Sequence, residues 1–225
     1  MKIDILTLFP EIFDGFLNTS IIKRAIDNNY VDIKVHNFRD YSLDKHKRVD
    51  DYPYGGGAGM VLMCEPIFRA IESLKTKDTI TIMLTPSGQL FKQETAINLS
   101  KKKHIILLCG HYEGFDERIK TIVDMELSIG EYVLTGGEVP AMAITDAITR
   151  LIPGVITKES LDSESFTDNL LDYPNYTRPE EFRGMKVPEV LLSGHHKNIE
   201  NYRKEERIKS TKDYVKNITG GDKFE

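Results

Sequence analysis

Apolar positions along the chain fall into two rhythms. Residues 2–8 (KIDILTL) form a short apolar run and predict a strand, with Pro10 just beyond it at a helix start. Ile12, Phe13, Phe16, Leu17 and Ile21 then recur at helical spacing, and Asn18-Thr19-Ser20 can break and re-cap that helix. Residues 31–36 (VDIKVH) alternate and predict a second strand. Residues 79–84 (TITIML) and 105–109 (IILLC) are short β-rich runs bounded by turn residues, the pattern of strands buried on both faces of a parallel sheet. Helical patterns near 66–76, 89–102 and 138–152 lie between or after them. Strands alternating with helices predict an α/β sheet covered on both faces.

Pro153-Gly154 is expected to end the last of these helices. The stretch TKESLDSESFTD follows, polar and rich in serine and acids, and residues 157–167 read as a flexible linker. The organisation expected is therefore an α/β domain over 1–156, the linker, and a helical domain over 168–225. Residues 195–216 (HHKNIENYRKEERIKSTKDYVK) look helical and highly charged, with only Ile199, Tyr202, Ile208 and Val215 as a weak apolar stripe. Such a piece needs something to pack on.

The chain has 225 residues, 40% hydrophobic and 29% charged, which is ordinary globular composition. Its net charge of −5 disfavours a general polyanion-binding protein. The charge is uneven: residues 186–225 carry 9 basic against 7 acidic residues, while residues 1–185 carry 21 against 28. A basic end on an acidic body fits a polyanion met at one place, although a solvated helix face reads the same way. Two cysteines, Cys64 and Cys109, exclude a disulfide scaffold and fit a reduced cytoplasmic setting. Asp4 and Glu11 interrupt the N-terminal run too early for a signal peptide, and no apolar run is long enough to span a bilayer. A soluble protein is expected.

Four glycine-rich segments carry the strongest chemical signal: YGGGAGM (54–60), TPSGQ (85–89), CGHYEGFDER (109–118) and SIGEYVLTGGEVP (128–140). The last three follow or contain strand residues, and open α/β sheets bind ligands beyond the carboxyl ends of their strands. Any one of them is an ordinary tight turn; three at one sheet edge build a pocket lined by backbone groups. The chain lacks a G-x-x-x-x-G-K-[ST] loop and has no G-x-G-x-x-G after its first strand, which disfavours nucleoside triphosphates and ordinary dinucleotide binding. The loops hold few Lys or Arg, while Glu113 and Glu131 lie among them. An uncharged heterocycle with a small cationic group suits such a pocket; spacing alone selects no single compound.

Seven ordered segments resemble one family. LFPEIF (8–13), DDYPYGGGAGM (50–60), CGHYEGFDERI (109–119), SIGEYVLTGGEVPAM (128–142), TRLIPGV (149–155), ESFTDNLLDYPNYTRP (164–179) and VPEVLLSGHH (187–196) occur in the order seen in the TrmD family, the bacterial tRNA (guanine-N1)-methyltransferases acting at tRNA position 37. The resemblance spans nearly the whole chain. It implies the SPOUT class of α/β fold with a deep trefoil knot, which topology rules would not propose. It also implies a homodimer whose active sites are shared between subunits, tRNA as substrate and S-adenosylmethionine as methyl donor. That donor carries an adenine, a ribose and a sulfonium cation, and so is compatible with the loops.

Carried over residue by residue, the resemblance puts the methyl-donor site on Thr85, Pro86, Ser87, Gly110, Glu113, Ile129, Gly130, Tyr132, Leu134, Gly136, Gly137 and Pro140. Core packing would account for Tyr132 and Leu134 equally well. Guanine N1 is protonated, so its methylation calls for a carboxylate base near N1 and a cation near O6. The family's base is an Asp directly before Ser-Phe; the matching residue here is Glu164, one methylene longer, with Asp162 as the nearby alternative. Arg150 matches the family's charge-stabilising arginine, a position where a helix C-terminal cation is also at home. The resemblance implies Mg²⁺ as well, with Glu113, Glu164 and Asp172 at the matching acidic positions, although no ligand set follows from spacing. Expected RNA contacts are Asp51, Arg178, Lys197, Arg203, Lys204 and Arg207. Two other readings stay open: a SPOUT methyltransferase for another RNA position, and a non-catalytic RNA-binding protein that keeps the loops.

Overall fold

The computed structural model describes residues 1–157, 160, 161, 164–166 and 168–219. Asp162 and part of the linker expected over 157–167 lie outside the described residues. The chain divides into two compact units, Met1–Ile156 and Thr157–Glu225.

The first unit is built on five parallel strands: β1 (Lys2–Thr7), β2 (Asp32–Asn37), β5 (Thr79–Leu90), β6 (His104–Cys109) and β7 (Met125–Ser128), in the order β2-β1-β6-β5-β7. A two-stranded hairpin of β3 (Asp50–Asp51) and β4 (Val61–Leu62) stands beside it. Alternation along the central strands explains why their sequences are apolar throughout. Ile3, Ile5, Ile105 and Leu107 face one core with Ala141, Ile144 and Ile148 of helix α5 (Glu138–Thr149). Leu6, Ile106, Leu108 and Met83 face the other, with Ile67, Ala70 and Ile71 of α3 (Cys64–Leu74). Both faces are therefore covered, as a parallel sheet requires.

Three local expectations change. After a 3-10 turn at Pro10–Phe13, α1 (Asp14–Leu17) and α2 (Ser20–Asp27) are separated at Asn18-Thr19, but no side chain re-caps α2. The Thr19 hydroxyl instead donates back to the Gly15 carbonyl at 2.7 Å. The strand expected over 79–84 continues to Leu90, with its register broken between Leu84 and Gln89. Helix α4 consequently begins late, at Gln93–Ser100. Helix α5 ends at Thr149, ahead of Pro153; Gly154 then takes a left-handed φ of +94°, with Tyr30 packed against it.

A buried polar chain ties four strands together. Asp4 is fully buried on β1, with His36 Nε2 (β2) 2.8 Å from Oδ1 and His104 Nε2 (β6) 2.7 Å from Oδ2. His104 Nδ1 in turn lies 2.7 Å from the Thr79 hydroxyl on β5, and Lys2 Nζ is 2.6 Å from Asp4 Oδ2. Burial pushes the Asp4 carboxyl up, but hydrogen bonds from His36, Lys2 and His104 outweigh it and hold the group well below its ordinary 3.8. A depressed native value means that the unfolded chain takes up this proton first. The stability contributed by Asp4 is thus fully present above about pH 4 and drains as pH falls further. Thermal melts from about pH 6 down to about pH 3 should show this acid loss. Asp4→Asn should be less stable at neutral pH by about 3 kcal/mol or more and should show a flatter acid limb.

The second unit holds the hairpin β8 (Glu181–Phe182) and β9 (Met185–Lys186), a short α6 (Glu189–Leu192) and the long α7 (His196–Thr219). None of its described residues is buried. It is held by local stitches: Thr211 Oγ1 accepts from Leu171 N at 2.9 Å, and the Phe166 and Tyr214 rings meet edge to face at 5.9 Å.

Candidate active site

The irregular stretch of β5 where its register breaks and the loops after β6 and β7 enclose a cleft of about 310 Å³, within the range of small-molecule sites. Thr85 and Pro86 come from the irregular stretch of β5, residues 110–115 from the loop after β6, and residues 128–130, 132–137 and Pro140 from the end of β7, the loop after it and the start of α5. Of the twelve residues expected around a methyl donor, all but Ser87 line this cleft. The Ser87 hydroxyl sits 3.1 Å from that of Thr85.

Backbone contacts weld the loops together. Gly137 N donates to Gly110 O at 2.9 Å, and Phe91 N donates to Ser128 O at 2.7 Å. A Cβ on Gly137 would lie 2.7 Å from Cys109 Cα and 2.8 Å from Gly110 N, so only glycine permits this crossing. Gly88 is equally confined: a Cβ there would lie 2.6 Å from the Leu127 backbone, within the stretch where the strand's register breaks. The glycine-rich segment 54–60 contributes differently. Glu113 N donates to Met60 O at 3.0 Å and Leu62 N to Gly114 O at 2.9 Å, so this segment braces the loop after β6 from outside.

The ionisable side chains most relevant to a ligand are Glu113 and His111, and no Lys or Arg is among the lining residues. This arrangement offers backbone donors and acceptors to a heterocycle and negative charge to a cation, and gives a phosphate group little to hold.

Sequence reasoning missed a buried acid beneath the loops. Glu138 opens α5 and accepts a 2.7 Å hydrogen bond from the Thr7 hydroxyl; its other oxygen is 3.3 Å from His111 Nε2. The one signal for it was its place directly after Gly136-Gly137, which reads equally well as a first-turn acid. Burial, with the Glu138 charge added, pushes the Cys109 thiol well up, so this cysteine packs as an apolar residue and is no nucleophile.

The remaining expected residues fall as follows. Arg150 is the half-buried C-cap of α5 in the first unit, and Glu164 is half-buried in the second, its amide donating to Leu161 O. Asp51 on β3 is exposed and accepts from the amide of Tyr52. Asp172 accepts from Tyr173 N at 2.7 Å. Among the described residues no group of three or more His, Cys, Asp or Glu side chains stands ready to hold a metal ion. Arg178, Lys197, Arg203 and Lys204 are exposed on the second unit. Arg207 is not: its guanidinium grips Asp168 through two bonds of 3.0 and 2.5 Å and donates to Leu171 O. With its side chain 16% exposed, it anchors α7 to the segment before it. No helix among the described residues is long and apolar enough to cross a membrane.

Comparisons with known proteins agree with this architecture. The model of a family described as tRNA (Guanine-1)-methyltransferase TrmD matches residues 1–220. The chain is 57% identical over 212 residues to the tRNA (guanine-N(1)-)-methyltransferase of Dictyoglomus turgidum, covering 94% of this chain and 86% of that one. It is 59% identical over 212 residues to the protein of that name from Malacoplasma penetrans, covering 94% of each. The Staphylococcus aureus JH9 protein of that name is 58% identical over 211 residues, 92% of this chain and 86% of the other.

Proposed function

The chain belongs to the TrmD family of tRNA (guanine-N1)-methyltransferases, and from that premise we propose that it methylates N1 of guanine at position 37 of tRNA, with Glu164 as base and Arg150 as charge stabiliser. The observation that carries this reading is the cleft between the irregular stretch of β5 and the loops after β6 and β7: glycine-built, lined by backbone, free of Lys and Arg among its lining residues.

S-adenosylmethionine, when bound, supplies a methyl group on a positively charged sulfur. The cleft suits it, because Gly110, Gly130 and Gly137 let backbone groups approach closely and Glu113 offers negative charge to a cation. Backbone groups of Gly130, Tyr132 and Leu134 would read the adenine edge.

The chain's own residues handle the proton. Guanine N1 is a poor nucleophile while its hydrogen remains. The Glu164 carboxylate takes that proton and so frees the N1 lone pair to accept the methyl group that the donor would supply. Charge spreading to O6 during this step meets the Arg150 guanidinium. Arg150 belongs to the first unit and Glu164 to the second, and we read the working site as one subunit's cleft facing its partner's second unit in a homodimer. The lack of any buried side chain among the described residues of that unit supports this, since such a piece gains its stability by docking. The family resemblance implies a trefoil knot in this region. Such an enzyme works where tRNA is, in the cytoplasm.

Lys197, Arg203, Lys204 and Arg178 would meet phosphates, and the target guanine would be splayed out of its loop into the site. Lys197→Ala combined with Lys204→Ala should weaken tRNA binding and reduce the magnitude of its salt slope by about 0.7–0.9 for each phosphate left unpaired. Filter binding over a series of salt concentrations measures this; an unchanged slope removes α7 from the RNA surface.

The function itself is tested by incubating the protein with an unmodified tRNA transcript and labelled S-adenosylmethionine, then mapping the modified base. Label on N1 of guanine 37, absent when that guanine is replaced, is the expected result. Label on a ribose or at another position would transfer the protein to a different methylation reaction.

A further inference from the structure

The second unit contains a cleft of its own, of about 560 Å³, between the segment 173–178 and the helices α6 and α7. Its walls are unlike those of the first cleft. Tyr173, Asn175, Tyr176, Arg178 and Arg203 line it, with Leu191 among the apolar residues. The Arg203 guanidinium lies over the Tyr173 ring at 4.7 Å from its centroid, which orients both planes. Tyr176 is 48% exposed, and it lies near Tyr202 on α7. An aromatic ring thus lines the cleft while its surface remains open to solvent. Among the five named polar lining residues, two are cationic, and Glu180 is the acidic residue of the wall.

Planar aromatic and guanidinium surfaces next to a cation, with an amide side chain at hand, are what an unstacked nucleotide requires. The base stacks, the phosphate pairs with arginine, and the base edge bonds to the amide. Resting on the reading of the chain as a tRNA-modifying enzyme, we propose that this cleft captures a second nucleotide of the tRNA, distinct from the methylated guanine, by stacking its base on the Tyr173–Arg203 and Tyr176 surfaces. Stacking of this kind is tolerant of base identity. The cleft therefore adds grip and register, and leaves the choice of the methylated base to the first cleft.

Short-wave ultraviolet cross-linking of the full-length wild-type protein to an unmodified tRNA transcript, with peptide mapping of the adduct, tests this directly. Cross-links at Tyr173 or Tyr176 are expected; cross-links confined to other segments overturn the proposal. In steady-state assays Tyr176→Ala should raise KM for tRNA roughly tenfold, on the scale of one base stack removed, while the affinity for S-adenosylmethionine holds. Tyr176→Phe keeps the ring and should restore KM to within about threefold. If Tyr176→Phe is as defective as Tyr176→Ala, the hydroxyl is what matters, and the stacking role is refuted. Adenosine 5′-monophosphate is the probe for a free-nucleotide site: competition with tRNA that Tyr176→Ala abolishes would replace the RNA reading. Absence of methylation by the wild-type protein would count against the proposed function, whereas normal methylation with no cross-link in this cleft would count against this inference alone.

Discussion

Glu164→Gln should lower the single-turnover rate of methyl transfer by about a hundredfold or more, the usual scale for removal of a general base, while S-adenosylmethionine and tRNA bind as before. The amide is nearly the same size as the carboxylate but cannot accept the N1 proton, so the loss should fall on the chemical step. Glu164→Asp supplies a control with physical content. It keeps the acid and shortens the side chain by one methylene, to the residue the resembling family carries here, and should retain most of the activity. Raising the pH should partly rescue Glu164→Gln, because solvent base can then remove the proton that the side chain no longer takes. A near-normal single-turnover rate in Glu164→Gln would move the base elsewhere, with Asp162 the first residue to try next.

Gly137→Ala should damage the fold and the cleft together. The added Cβ would stand 2.7 Å from Cys109 Cα and 2.8 Å from Gly110 N. Both are main-chain atoms of the loop that lines the cleft, so no side-chain rotation relieves the clash. Overpacking of this kind costs about 1–3 kcal/mol. For a unit of this size that corresponds to a fall in Tm of about 2–12 °C, with weaker binding of S-adenosylmethionine alongside. Gly15→Ala is the matched comparison: its Cβ meets nothing within 4 Å, its φ is not left-handed, and the substitution should be neutral or slightly stabilising. Calorimetry and donor titration of the two variants side by side check this. Equal Tm values would mean that the crossing of the two loops is looser than the structure describes.

Much of the scaffold was readable because burial on both faces leaves an unbroken apolar run. The strands at 2–7 and 104–109 announce themselves this way, and the glycine clusters mark the loops beyond them. The strand Met125–Ser128 did not, since four residues with Glu126 in the middle carry too little pattern to stand out. The extension of β5 to Leu90 was hidden behind Pro86 and Gly88, which read as a turn but serve a broken strand register against Leu127. Side-chain partners far apart in sequence were the least visible. Arg207 looks like one more cation on a basic helix until Asp168, 39 residues away, is found in its grip. Glu138 looks like a first-turn acid until Thr7, 131 residues away, is seen donating to it. Spacing on one element cannot report a contact made by another.

A methyl donor is expected to lie against the glycine-built loops at the carboxyl edge of the sheet. The most direct measurement is a crystal structure of the protein grown with S-adenosylmethionine. The prediction is a donor molecule in contact with Gly110, Gly130 and Gly137, its adenine edge bonded to the backbone between Gly130 and Leu134. Donor density found elsewhere, with this cleft filled only by solvent, would contradict the account.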